Sequence, residues 1–170
     1  MASALTLLSL LTAFAAITLF IMVAMIDYQT RKIPNDLVVA GIGLYVLWAL
    51  SAPAAEPLTD VAVGAGLFAF GFICWLLRLL GAGDAKFMLI CGLFSGLDQL
   101  PVFAVWLGLI GVGVYLLVVI SRRIDVTLML TRLGLRGIEE TGKVPYGVPL
   151  ALATAAAFIA RMLPEVAGLG

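Results

Sequence analysis

Residues 2–26 read ASALTLLSLLTAFAAITLFIMVAMI, and none of the 25 is charged. An α-helix crosses a bilayer with about 20 mainly apolar residues, so this stretch is long enough to span. It exceeds the roughly 7–15 apolar residues of a secretory signal, and no basic segment precedes it. It is expected to be a first membrane helix, kept in the mature protein. The rest of the chain agrees with it. Of 170 residues, 64% are hydrophobic and 12% charged, against about 45–50% and about 25% in a soluble domain. A water-soluble globule of this size could not hide so much apolar surface. Residues 1–170 are therefore read as one integral membrane domain, all-α, with helices at about 2–26, 37–55, 61–80, 84–97, 102–121 and 145–163.

The connections set the expected orientation. Arg31 and Lys32 lie between helices 1 and 2. Arg78 and Lys86 lie around the 3–4 connection, with Arg78 able to snorkel from the end of helix 3. Arg122, Arg123, Arg132, Arg136 and Lys143 lie between helices 5 and 6. Nine of the ten basic residues thus fall on one side of six spans, leaving only Arg161 on the other. The 2–3 and 4–5 loops carry Glu56, Asp60 and Asp98. The positive-inside rule places the basic regions in the cytoplasm and both termini outside. Within the long 5–6 connection, Ile124, Leu128, Leu135 and Ile138 alternate with Asp125, Arg132 and Arg136. That pattern predicts an amphipathic helix over 124–138 on the inner leaflet.

Several chemistries are excluded at once. The chain has no histidine, so Ser-His-Asp and Cys-His catalysis and imidazole metal sites are absent. Zero net charge and long apolar runs argue against nucleic-acid binding. Cys74 and Cys91 sit in apolar stretches and read as small packing residues. Gly92, Gly96, Gly108, Gly111 and Gly113 are expected to let membrane helices approach closely.

Ionisable residues at membrane depth are costly and mark candidate functional sites. Asp27 directly follows the uncharged stretch, and Asp84 sits in Gly81-Ala82-Gly83-Asp84-Ala85-Lys86. Two spans separate them, so both return to the same side and the same level. Residues 84–97 span only about 21 Å as helix, less than the roughly 30 Å hydrocarbon core. Asp84 is therefore expected below the inner surface, in a hydrated cavity. Gly81 and Gly83 would let the backbone break there. Two carboxyls at one level have the geometry to share a water molecule.

Three segments carry a resemblance. DYQTRKIPN (27–35) resembles the first-aspartate motif of type IV prepilin peptidases. GAGDAK (81–86) is similar to their Gly-x-Gly-Asp motif with its following lysine. KVPYGVPLA (143–151) resembles their C-terminal Pro-Tyr-Gly segment, and the three occur in the family's order. The resemblance covers roughly residues 1–163. It implies an intramembrane aspartyl protease of the bacterial inner membrane. Such an enzyme removes the basic leader from prepilins or pseudopilins at the cytoplasmic face, with Asp27 and Asp84 as the catalytic pair. It further implies site-shaping or substrate-binding roles for Gly81, Gly83, Lys86, Pro34, Asn35, Lys143, Pro145, Tyr146 and Gly147. Larger members carry two Cys-x-x-Cys pairs in a cytoplasmic domain and also N-methylate the product. This chain has neither pair. It resembles the short, peptidase-only branch, and no N-methyltransferase activity is expected.

By that resemblance no metal or cofactor is required. Two close carboxyls share one proton; the charged one activates water and the neutral one protonates the scissile carbonyl. Helix dipoles favour Asp84 as base, at the start of helix 4, and Asp27 as acid, at the end of helix 1. Pro34 with Asn35 or Asp36 is expected to start helix 2, and Pro145 to lie in the first turn of helix 6. Tyr146 and Gly147 would line the substrate cleft. Lys32 and Lys143 also suit anchoring to anionic lipid. Arg31 and Lys32 would repel a basic leader, whereas Asp36, Asp125, Glu139 and Glu140 would attract it. The competing readings are a small proton-coupled transporter, in which the aspartates relay protons, and a non-catalytic pilus or secretion assembly factor.

Overall fold

The computed structural model describes residues 2–123 and 145–166. The predicted amphipathic helix at 124–138 and Lys143 lie outside them. The described residues form six helices: α1 (Ala2–Thr30), α2 (Asn35–Ala49), α3 (Pro57–Leu76), α4 (Ala82–Ser95), α5 (Leu100–Arg123) and α6 (Gly147–Val166). Four of them, α1, α3, α5 and α6, are long and apolar enough to cross a membrane. The all-α class holds. With 15 and 14 residues, α2 and α4 are about 22 and 21 Å long, short of a full crossing.

The helix limits differ from those expected, each for a local reason. Helix α1 does not stop at residue 26 but runs through Asp27 to Thr30. It ends where Arg31 takes a left-handed φ of 55°. Helix α2 starts at Asn35, not 37, after Pro34 in extended conformation (ψ 145°) as its N-cap; neither Asn35 nor Asp36 caps it. It closes at Ala49 rather than 55. Ser51 and Ala52 both turn back to the Trp48 carbonyl, and Pro53 disfavours helical backbone at the residue before it. Helix α3 starts at Pro57, whose fixed φ suits a first turn.

Helix α3 ends at Leu76 in a Schellman motif: Arg78 N–H donates to the Trp75 carbonyl and Leu79 N–H to that of Cys74, each at 2.9 Å. Arg78 occupies the left-handed position, φ 60°, where glycine is usual. Helix α4 starts at Ala82 rather than Asp84 and ends at Gly96, whose φ of 62° breaks it. Helix α5 takes in Pro101 within its first turn. Pro145 and Tyr146 precede α6 instead of opening it.

Helices α1, α2, α4 and α6 surround the core. Phe20, Trp48, Phe94 and Phe158, one from each, are fully buried. Phe94 meets Phe158 at 4.9 Å and Phe20 at 5.1 Å, and Trp48 meets Phe158 at 5.0 Å, all edge to face. Such pairs contribute about 0.5–1.5 kcal/mol each beyond area burial. Ala151, Ala153 and Ala157 on α6 are fully buried. These small residues allow the close helix approach that replaces hydrophobic drive in lipid. Helix α3 packs on α4, and α5 leans on α6. Both turn large apolar side chains outward, among them Phe70, Leu76, Leu109 and Leu116, as lipid-facing helices do.

The glycines divide. A Cβ on Gly92 would lie 2.5 Å from the Gly64 Cα, so α3 and α4 touch backbone to backbone there. Gly96 both terminates α4 and packs closely, with Arg161 Nη1 2.6 Å from where its Cβ would be. Gly108, Gly111 and Gly113 have nothing within 4 Å of an added Cβ; the expected close packing at α5 is not found, because α5 lies at the periphery. Cys91 is buried, Cys74 is half-buried, and both are free thiols.

Gly92→Ala should lower stability in detergent by about 1–3 kcal/mol, because backbone must move. Gly108→Ala, in open space, should be neutral or stabilising by up to about 1 kcal/mol. Thermal unfolding of the two variants beside the wild type measures both.

Candidate active site

Asp27 comes from the last turn of α1, and Asp84 from the first turn of α4. They line one cavity of about 440 Å³ together with Arg31, Arg78, Leu79, Leu80, Gly81, Pro145 and Tyr146. Asp27 is only 4% exposed, and Asp84 is half-buried.

Each carboxylate is held by a backbone N–H at the start of a helix. The Gly147 N–H donates to Asp27 Oδ2 at 2.9 Å. The Gly81 N–H donates to Asp84 Oδ2 at 3.3 Å, which makes Asp84 the third residue of α4 rather than its N-cap. The first contact changes the electrostatic expectation. Asp27 ends α1, but it also faces the positive N-terminus of α6. Both aspartates therefore meet a helix N-terminus, and since Asp27 also ends α1, the dipole asymmetry expected to separate acid from base is lessened.

The glycines of the motifs have specific tasks. A Cβ on Gly147 would fall 2.6 Å from the Asp27 Cγ, so only glycine lets α6 come this close. A Cβ on Gly83 would fall 3.1 Å from the Ile33 backbone nitrogen; its absence lets the α1–α2 turn, just beyond Asp27, close onto α4. A Cβ on Gly81 would crowd Asp84 Oδ2 at 2.8 Å. Lys86 Nζ donates to Asn35 Oδ1 at 3.0 Å, tying the start of α4 to the start of α2. Pro34 shapes that start as its N-cap. Pro145 is buried in the cavity wall, and Tyr146, 47% exposed, stands at its rim. Of the described members of the expected set, Gly81, Pro145 and Tyr146 line the cavity and Gly147 touches Asp27, whereas Pro34, Asn35 and Lys86 are not among its lining residues.

Two features were not expected. Arg31 and Arg78 line the cavity, both on left-handed backbone that turns the chain sharply at the end of α1 and α3. The second is a buried polar cluster away from the cavity. Arg161 Nη2 lies 2.9 Å from Asp60 Oδ1 and donates to Oδ2 at 3.0 Å. Tyr45 Oη donates to the same Oδ2 at 2.7 Å. The guanidinium also donates to the Ala54 carbonyl from Nε at 3.1 Å and Nη2 at 2.8 Å. It lies over the Trp48 ring at 5.1 Å, within cation–π range. The signal in the sequence was a single basic residue on the acidic side of the spans, where a buried charge needs a partner.

Among the described residues, no group of three or more Cys, Asp or Glu is placed to hold a metal ion. Comparison with curated proteins and with solved structures gave no match. The family model for the type IV leader peptidase family matches residues 13–117. The match takes in both aspartate motifs and stops short of the segment around Gly147. It covers well over half of the sequence, and with the apolar helices that cross a membrane it settles the assignment: the chain belongs to the type IV leader peptidase family, the intramembrane aspartic endopeptidases that remove the leader from prepilins.

Proposed function

We propose that Asp27 and Asp84 are the catalytic pair of this peptidase, and that the cavity they line is where the leader is cut. The carrying observation is that two carboxyls from distant helices share one cavity, each anchored by a backbone N–H at a helix start. Carboxylates at membrane depth are otherwise costly. Asp27 and Asp84 share a proton and titrate as a unit. The ionised member removes a proton from a water lying between them. The protonated member donates to the carbonyl oxygen of the scissile peptide. The tetrahedral diol then collapses: the C–N bond breaks as the protonated member gives its proton to the leaving nitrogen, the ionised member takes the proton of a diol hydroxyl as the new carboxyl forms, and the pair again holds one proton. The reaction ends at hydrolysis, without methyl transfer.

The chain is proposed to cross the inner membrane six times as one domain, with α2 and α4 as short spans. Both termini lie outside and the cavity opens to the cytoplasm. The distribution of basic residues supports that orientation. An amphipathic segment at 124–138 on the inner leaflet, and Lys143 near it, belong to the same arrangement. The substrate is a prepilin or pseudopilin. Arg31 and Arg78 in the cavity wall favour a path in which the basic leader runs away from them.

Asp27→Asn and Asp84→Asn should each reduce prepilin cleavage in proteoliposomes by at least about 10³-fold, on the scale seen when one member of a catalytic unit is removed. Either variant cleaving at the wild-type rate would overturn the pair. Variants that lose no cleavage yet alter proton flux or pilus assembly would favour the relay or assembly readings instead.

The pH profile of wild-type cleavage should be bell-shaped. Activity falls at low pH, where both carboxyls are protonated and none can act as base. It falls at high pH, where both are ionised and none can act as acid.

Gly147→Ala should reduce the turnover rate about 10–100-fold, since an added methyl displaces the Asp27 carboxyl by a fraction of an ångström to an ångström. Steady-state kinetics on the purified variant measures it.

A further inference from the structure

We propose that Arg161 is a positioning residue for the catalytic pair, acting from the far end of the bundle. Helices α4 and α6 run in the same direction. Both begin at the cavity, where α4 presents Asp84 and α6 presents the Gly147 N–H to Asp27. Both end at Arg161. Its Nη1 reaches the carbonyl of Phe94 in the last turn of α4 at 3.5 Å, and its other nitrogens hold Asp60 on α3 and Ala54 in the α2–α3 loop.

One guanidinium therefore fixes the axial offset between two parallel helices whose opposite ends carry the site. Arg161 stands 14 positions beyond Gly147 on one continuous helix, a rod of about 21 Å that passes on any slip at one end. Gly147 tolerates little slip, because Asp27 already fills the space a Cβ would need. Asp60 keeps the guanidinium in place: it is fully buried and also accepts from Tyr45 Oη and the Glu56 N–H. Gly96 completes the fit. A Cβ there would lie 2.6 Å from Arg161 Nη1 and 2.7 Å from Asp60 Oδ1.

This inference rests on the reading of Asp27 and Asp84 as the catalytic pair, and one experiment separates the two. Arg161→Lys, Asp60→Asn and Tyr45→Phe are purified in detergent and assayed well below their melting temperatures, each alone and combined with Gly147→Ala. Lysine keeps the charge of Arg161 but loses its fork. Expected for Arg161→Lys and Asp60→Asn is a kcat lowered about tenfold, KM unchanged within about twofold, and both limbs of the pH profile displaced. Combined with Gly147→Ala, either should add less than about twofold, since both act on one contact. Tyr45→Phe keeps the ion pair and should shift the profile in the same direction by less; it supplies the answer if the other two do not fold. Folded variants with wild-type kcat and pH profile overturn the proposal. So does a loss that multiplies with Gly147→Ala, or one that only tracks the folded fraction. Full cleavage by Asp27→Asn or Asp84→Asn overturns the catalytic reading itself.

Discussion

The contact between the Gly147 N–H and the Asp27 carboxylate carries much of the architecture. A carboxylate taken out of water needs hydrogen-bond donors around it. Here one donor comes from a residue 120 positions away in the chain. Meeting it requires α6 to start beside the end of α1, at a separation only glycine permits. The buried alanines of α6 and the interlocked aromatics Phe20, Trp48, Phe94 and Phe158 make that approach possible. The apolar core and the polar site answer one demand: bring the ends of α1, α4 and α6 together at one level.

The buried carboxylates lie at the two ends of this core. At one end are Asp27 and Asp84 with backbone donors and a cavity of about 440 Å³; at the other, Asp60 is held by Arg161 and Tyr45 beside a smaller cavity of about 240 Å³ that Arg161 lines. The contrast is chemical. Asp60 has a guanidinium and a phenol hydroxyl, so its charge is matched on the spot, as a buried ion requires. Asp27 and Asp84 line one cavity and are met by backbone N–H donors, with no cation as an ion-pair partner for either among the described residues.

The sequence made the broad plan legible because its signals are local or additive. An uncharged run of 25 residues states a helix without reference to anything else. The Gly-x-Gly-Asp and Pro-Tyr-Gly segments pointed to the cavity because their residues act within one turn of each other. Helix ends were less legible. The continuation of α1 past Asp27 and the halt of α3 before Arg78 depend on left-handed arginines, which carry no mark in a sequence, as a glycine would. The Arg161–Asp60 pair depends on a meeting of residues 101 positions apart. The α6 N-terminus at Asp27 is also a long-range fact, and it adds a second dipole that weighing α1 and α4 alone left out.

The shortness of α4 also bears on the surrounding lipid. At about 21 Å it falls roughly 9 Å short of the hydrocarbon thickness. An isolated helix of that length would make the bilayer thin around it or would sink toward one leaflet. Helix α4 escapes hydrophobic mismatch because α3, α6 and α2 flank it, and most of its residues from Ala85 to Ser95 are buried among neighbours. The shortfall is covered by protein, and the cavity lined by Asp27 and Asp84 lies at the N-terminal end of this short helix.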